Sequence, residues 1–100
     1  MRLRALVTHV SAGWQRQATV ENMGLGGVRL LLEERVNAGD ALTLSFTAPT
    51  LWDPLVLRAR VAWTDPAGPP PARRVGLAFE HKAPEAVFAL YELITALGFE

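Results

Sequence analysis

The stretch Leu55-Val56-Leu57-Arg58-Ala59-Arg60-Val61-Ala62-Trp63 decides the fold class. Its odd positions are all apolar, while Arg58 and Arg60 fall between them and Thr64 continues the polar side. A period of two sends alternate side chains to opposite faces, so this is a half-buried strand with Leu55, Leu57, Ala59, Val61 and Trp63 inward. The same alternation recurs in Leu42, Leu44, Phe46, in Val75, Leu77, Phe79 and in Val28, Leu30, Leu32. Weaker strand patterns run from Arg2 to Val10 and from Gln17 to Met23, which makes six.

The breaks between strands carry turn chemistry: Ser11-Ala12-Gly13, Gly24-Leu25-Gly26-Gly27, Asn37-Ala38-Gly39-Asp40, the segment 47–54, and the proline run 66–71. Short strands separated by such turns predict an all-β antiparallel barrel or sandwich. After Pro84 the period changes, and Val87, Leu90, Tyr91, Ile94 and Leu97 recur at helical spacing. Gly98 suits the C-terminal cap of that helix. The expected organisation is a single domain over 1–100, with the barrel over 2–80 and the helix over 84–97.

Composition narrows function by exclusion. Ten Lys+Arg balance ten Asp+Glu in 100 residues, so no basic surplus is available for counterion release on DNA or RNA. Cysteine is absent, which removes disulfide frameworks and thiolate metal sites. The most apolar stretch, 87–97, is interrupted by Glu92 and Thr95 and is too short to span a bilayer. No export signal follows Arg2 and Arg4, so the expectation is a cytoplasmic protein without membrane insertion.

Catalytic residues are not apparent. The histidines His9 and His81 and the serines Ser11 and Ser45 show neither a nucleophile elbow nor spacing that suggests a Ser-His-Asp arrangement. Neither histidine belongs to a His-x-x-x-His pattern or has a carboxylate cluster beside it. Glu33 and Glu34 are adjacent, so in a strand they diverge, and they read as a solvated strand end. Arg58 and Arg60 share one strand face and could hold an anion, although a charged outer face needs no ligand to explain it. The chain is therefore expected to be non-enzymatic. The glycines of Asn22-Met23-Gly24-Leu25-Gly26-Gly27 fit neither a Walker loop nor a dinucleotide fingerprint, because Val28-Arg29 and a strand follow. They permit positive φ or close approach of a backbone or ligand.

Asn22-x-Gly24-x-x-Gly27 followed by Val28-Arg29-Leu30-Leu31-Leu32 resembles the Asp/Asn-x-Ser-x-x-Gly turn and next strand of PilZ domains, the bacterial receptors for cyclic di-GMP. Ala59-Arg60-Val61-Ala62-Trp63 and Arg74-Val75-Gly76-Leu77-Ala78-Phe79 are similar to that family's fifth and sixth strands, and a terminal helix is expected after them. The resemblance implies a six-stranded PilZ-type barrel with a C-terminal helix. It also implies a cyclic di-GMP site at Asn22, Gly24 and Gly27, joined by an Arg-x-x-x-Arg segment ahead of the first strand.

Two departures stand out. No two of the nine arginines lie four apart, and the serine position is Gly24. A start placed too late would remove the arginine segment. Arg2 and Arg4 are the nearest substitutes. Charge-assisted hydrogen bonds contribute about 1.5 to 3 kcal/mol each, so losing one from each of two arginines would weaken binding by roughly two to four decades. The expected function is a signalling adaptor of cyclic di-GMP pathways in motility, pili or surface attachment, binding the nucleotide weakly or not at all and acting through an unidentified protein partner. The alternative is a true receptor that uses the Asn22 turn with Arg2 and Arg4. Trp52 and Phe88 are the candidate partner-binding aromatics. No cofactor is expected beyond cyclic di-GMP as a possible ligand.

Overall fold

The structure, a computed structural model, describes residues 3–47, 53–65, 73–80 and 84–97. Arg2, Trp52, Gly98 and the proline run, each given a role by the sequence, lie outside the described residues. Six strands follow in order: β1 (Leu3–His9), β2 (Trp14–Met23), β3 (Gly27–Leu32), β4 (Ala41–Phe46), β5 (Leu55–Asp65) and β6 (Arg73–Glu80). The helix α1 (Pro84–Leu97) comes last.

All pairings are antiparallel, and the strands close into a barrel in the order β1-β2-β3-β6-β5-β4. The chain thus forms two three-stranded meanders, β1-β2-β3 and β4-β5-β6, joined at two seams, β3 with β6 and β1 with β4. Closure leaves the six strands without a free edge.

Alternation fills the interior with Leu3, Ala5 and Val7 of β1, Val28, Leu30 and Leu32 of β3, Leu42, Leu44 and Phe46 of β4, and Val75 and Leu77 of β6. Phe46 meets Phe79 edge-on, with ring centroids 6.3 Å apart. From the helix, Leu90, Leu93 and Ile94 join the same core. The helical stripe differs in one respect from the sequence reading: Tyr91 is 56% exposed and Leu93 takes the buried place. The stripe thus runs through positions 90, 93 and 94, which leaves Phe88 and Tyr91 together on the outward side.

Two irregularities shape the outer surface. In β2 the register with β3 shifts between Val20 and Asn22, so Glu21 is the extra residue of a bulge. In β5 the register with β6 shifts between Val61 and Trp63, with Ala62 as the extra residue. That second bulge corrects the expectation that Trp63 faces the core. The inward set ends at Val61, and Trp63 is turned outward, 44% exposed, with its indole lying over Gly76.

Candidate functional site

The Asn22 to Gly27 turn closes on itself, Gly24 N–H donating to the Gly27 carbonyl at 2.9 Å. It is tied to β6 as well, Phe79 N–H donating to the Gly26 carbonyl at 2.9 Å. None of these three glycines adopts the left-handed conformation, which is found instead at Gly13 and Gly39. What Gly27 supplies is close approach: a Cβ there would collide with the main-chain carbonyl of Leu77 across the β3–β6 seam.

Asn22, Arg29, Gly76 and Trp63 are cross-strand partners in succession, so they form one row over the outside of β2, β3, β6 and β5. Around that row lies a groove of about 270 Å³, walled by the Asn22 turn, Arg29, Ala62 and Trp63, and floored by Gly27, Gly76 and Ala78. The two glycines make the floor low, and the Trp63 indole gives one wall a flat apolar face. The sequence-predicted Asn22, Gly24 and Gly27 are all brought to this groove. Asn22 spends its Oδ1 on the Met23 N–H at 2.9 Å.

Arg4 is placed elsewhere. It stands opposite Thr19, lines a separate depression with Gln17 and Ser45, and donates to Gln17 Oε1 at 3.3 Å. Arg60 pairs with Glu80 at 3.4 Å and donates to the Gly39 carbonyl, while Arg58 sits beside it in a small hollow with Thr43 and Val10. Of the adjacent carboxylates, Glu34 is paired with Arg16 at 2.9 Å.

The groove's rim carries charge that the sequence did not reveal. Glu21 accepts a two-pronged contact from Arg74, Nε to Oε1 at 2.7 Å and Nη2 to Oε2 at 3.2 Å. Its Oε1 also lies 3.3 Å from Arg29 Nε. Hydrogen bonding from Arg74, together with the positive charge of both guanidiniums, outweighs the opposing effect of desolvation and holds the Glu21 carboxyl below its ordinary value. The Arg74 guanidinium is correspondingly raised, chiefly by its hydrogen bond to Glu21. Glu21, Arg74, Trp63 and Gly76 escaped sequence reasoning. The one available signal was an aromatic in β5 facing a glycine in β6, a pairing in which the ring covers the missing side chain.

The fold also brings Asp40, distant in sequence, to His9 and its near neighbour Ser11. Buried His9 places Nε2 at 3.2 Å from Asp40 Oδ2, and Ser11 Oγ lies 3.4 Å from Nδ1. Asp40 also accepts the Asn37 N–H at 2.9 Å, and that bond first, then the one from His9, lowers its pKa. Nδ1 also accepts the Ala12 N–H at 3.2 Å. With Trp14 packed against the ring, the cluster works as a clamp between the β1–β2 turn and the 37–40 turn.

Fold and groove together define a small closed antiparallel barrel whose glycine turn borders a shallow external cleft. The PilZ domain family matches residues 1–96, and the chain belongs to that family. Among solved structures it is similar to the PilZ domain of CeSA from a cellulose-synthesizing bacterium, at 14% identity and a TM-score of 0.74, covering 98% of this chain and 94% of that one. It is also similar to the inhibitor of motility MotI/DgrA of Bacillus subtilis, at 16% identity and a TM-score of 0.74, covering 98% of this chain and 47% of that one. No curated protein matches the chain. Among the described residues, no helix is long and apolar enough to cross a membrane.

Proposed function

We propose that this PilZ domain is a non-enzymatic signalling adaptor in a bacterial cytoplasm, working through protein contacts in a cyclic di-GMP pathway of motility, pili or surface attachment, and binding the dinucleotide weakly or not at all. One observation carries the reading. Of the residues described as lining the groove, Arg29 is the one with a charged side chain, and its Nε faces Glu21. A ligand with two phosphates needs several cationic donors, since each such contact contributes about 1.5 to 3 kcal/mol. Gly24 also brings no hydroxyl to the turn. The outward pair Phe88, 64% exposed, and Tyr91 is the aromatic surface offered to a partner.

Trp63 favours a second reading. Its exposed indole beside a glycine floor is a platform on which a base could stack, as a receptor using Asn22, Gly24, Gly27, Arg2 and Arg4 would require. Calorimetric titration with cyclic di-GMP separates the two. No saturable heat at tens of micromolar ligand is expected for the adaptor, whereas low-micromolar binding abolished by Asn22→Ala or by neutralising Arg2 and Arg4 would establish the receptor.

A further inference from the structure

We infer that Glu21 is a built-in occupant of the groove's rim, its carboxylate taking the N–H donors of Arg29 and Arg74 that a phosphate-bearing ligand would use, so that this one side chain decides whether the groove accepts anions. The inference rests on the reading of the chain as a weak binder and names the cause of that weakness.

The geometry is that of recognition, with the recognised group supplied by the protein itself. Carboxylate and phosphate are interchangeable partners for a guanidinium fork, each accepting two parallel N–H bonds. Glu21 fills such a fork on Arg74 and adds the Nε of Arg29. The bulge makes this possible, because Glu21 is the one residue of its strand segment without a cross-strand partner in β3. Roughly a fifth of its side chain remains exposed, and Arg29 and Arg74 are about 45% and 34% exposed, so a solute can reach the triad. Arg29 belongs to the groove wall itself, in the same cross-strand row as Trp63 with Gly76 between them. The other acid facing these cations is Asp65, directly opposite Arg74. An arriving phosphate must therefore displace the carboxylate, and its gain is reduced by the contact it breaks.

The test is titration of the whole chain with inorganic pyrophosphate at low salt, followed by the arginine Nε–Hε resonances. A parallel titration uses cyclic di-GMP. The variants are Glu21→Gln, which keeps shape and removes charge, and Glu21→Gln combined with Arg29→Gln and Arg74→Gln. The wild type is expected to bind pyrophosphate at least about ten-fold more weakly than Glu21→Gln, a ratio equivalent to about 1.4 kcal/mol. The triple variant is expected to lose the gain. Should Glu21→Gln lose its dispersed spectrum, Glu21→Thr, suited to a strand, takes its place. Equal affinity of wild type and a folded Glu21 variant overturns the inference, as does a gain that survives in the triple variant. Tight cyclic di-GMP binding by the wild type instead overturns the adaptor reading, and the pyrophosphate comparison still decides the role of Glu21.

Discussion

Replacing each of three glycines near the groove by alanine makes the same chemical change with three different expected outcomes. At Gly27 the added methyl would run into the Leu77 carbonyl, with the Leu77 carbonyl carbon at 3.3 Å and the Ala78 Cα at 3.5 Å. These are backbone atoms of the strand that pairs with β3, so relief requires the β3–β6 seam to part. Overpacking costs about 1 to 3 kcal/mol where side chains can adjust. A backbone obstacle places Gly27→Ala at about 3 kcal/mol, since the bond from Phe79 N–H to Gly26 is strained with it. For a chain of this length that lowers Tm by roughly 12 to 24 °C. At Gly26 a Cβ meets open space, and the variant is expected to be neutral or to gain about 0.4 to 1 kcal/mol from a stiffer unfolded chain. At Gly76 the obstacle is the Trp63 ring, which can swing into solvent, so the cost is intermediate, about 1 to 2 kcal/mol. Thermal and urea unfolding of the three variants, with the indole N–H resonance of Trp63 followed in Gly76→Ala, checks the order. Unfolding of Gly27→Ala within about 0.5 kcal/mol of Gly26→Ala would refute the assignment of Gly27 to close approach.

Other expectations follow from the charged clusters and the helix. Glu21 and Asp40 both titrate lower in the fold than their ordinary values of 4.5 and 3.8, so the folded state binds fewer protons across that range. Their stabilisation is complete above those values and is lost as pH falls through the folded pKa values. Melting temperatures recorded from pH 7 to pH 2 should thus drop below about pH 4.5, and Glu21→Gln should make the drop shallower. Asp40→Asn keeps an acceptor for the Asn37 N–H but loses the charge facing His9, and is expected to cost about 1 kcal/mol by urea denaturation. Leu90→Ala, at a fully buried position, should cost about 2 to 5 kcal/mol, whereas Phe88→Ser should leave stability within about 0.5 kcal/mol while weakening any partner contact.

The six strands and the helix were legible because inward positions repeat every second residue, as in Leu42, Leu44, Phe46, and because Pro84 marks where the period changes. The bulges were not legible. One extra residue reverses the phase of everything after it, and nothing in Arg60-Val61-Ala62-Trp63 announces that Ala62 is that residue. Trp63 therefore read as core, although it became a wall of the groove. Half of the site could be seen in the Asn22 to Gly27 turn, where spacing along the chain is the signal. The other half is made of contacts between strands: Trp63 meets Gly76 across the β5–β6 hairpin, and Glu21 meets Arg74 only when the barrel closes.

That closure bears on how the protein folds. Each meander can form from neighbouring hairpins at modest loop entropy, but the seams join segments far apart in the chain and carry the larger closure cost. The groove straddles the β3–β6 seam: Asn22, Gly27 and Arg29 come from one half, Gly76, Ala78 and Trp63 from the other. Neither half contains it alone, so it exists only once β3 and β6 have paired. The Glu21–Arg74 pair bridges that seam, and the His9–Asp40 pair links the two halves across the other. A molecule seated in the groove would grip both halves at once, and would favour the closed barrel over any state in which the halves have parted.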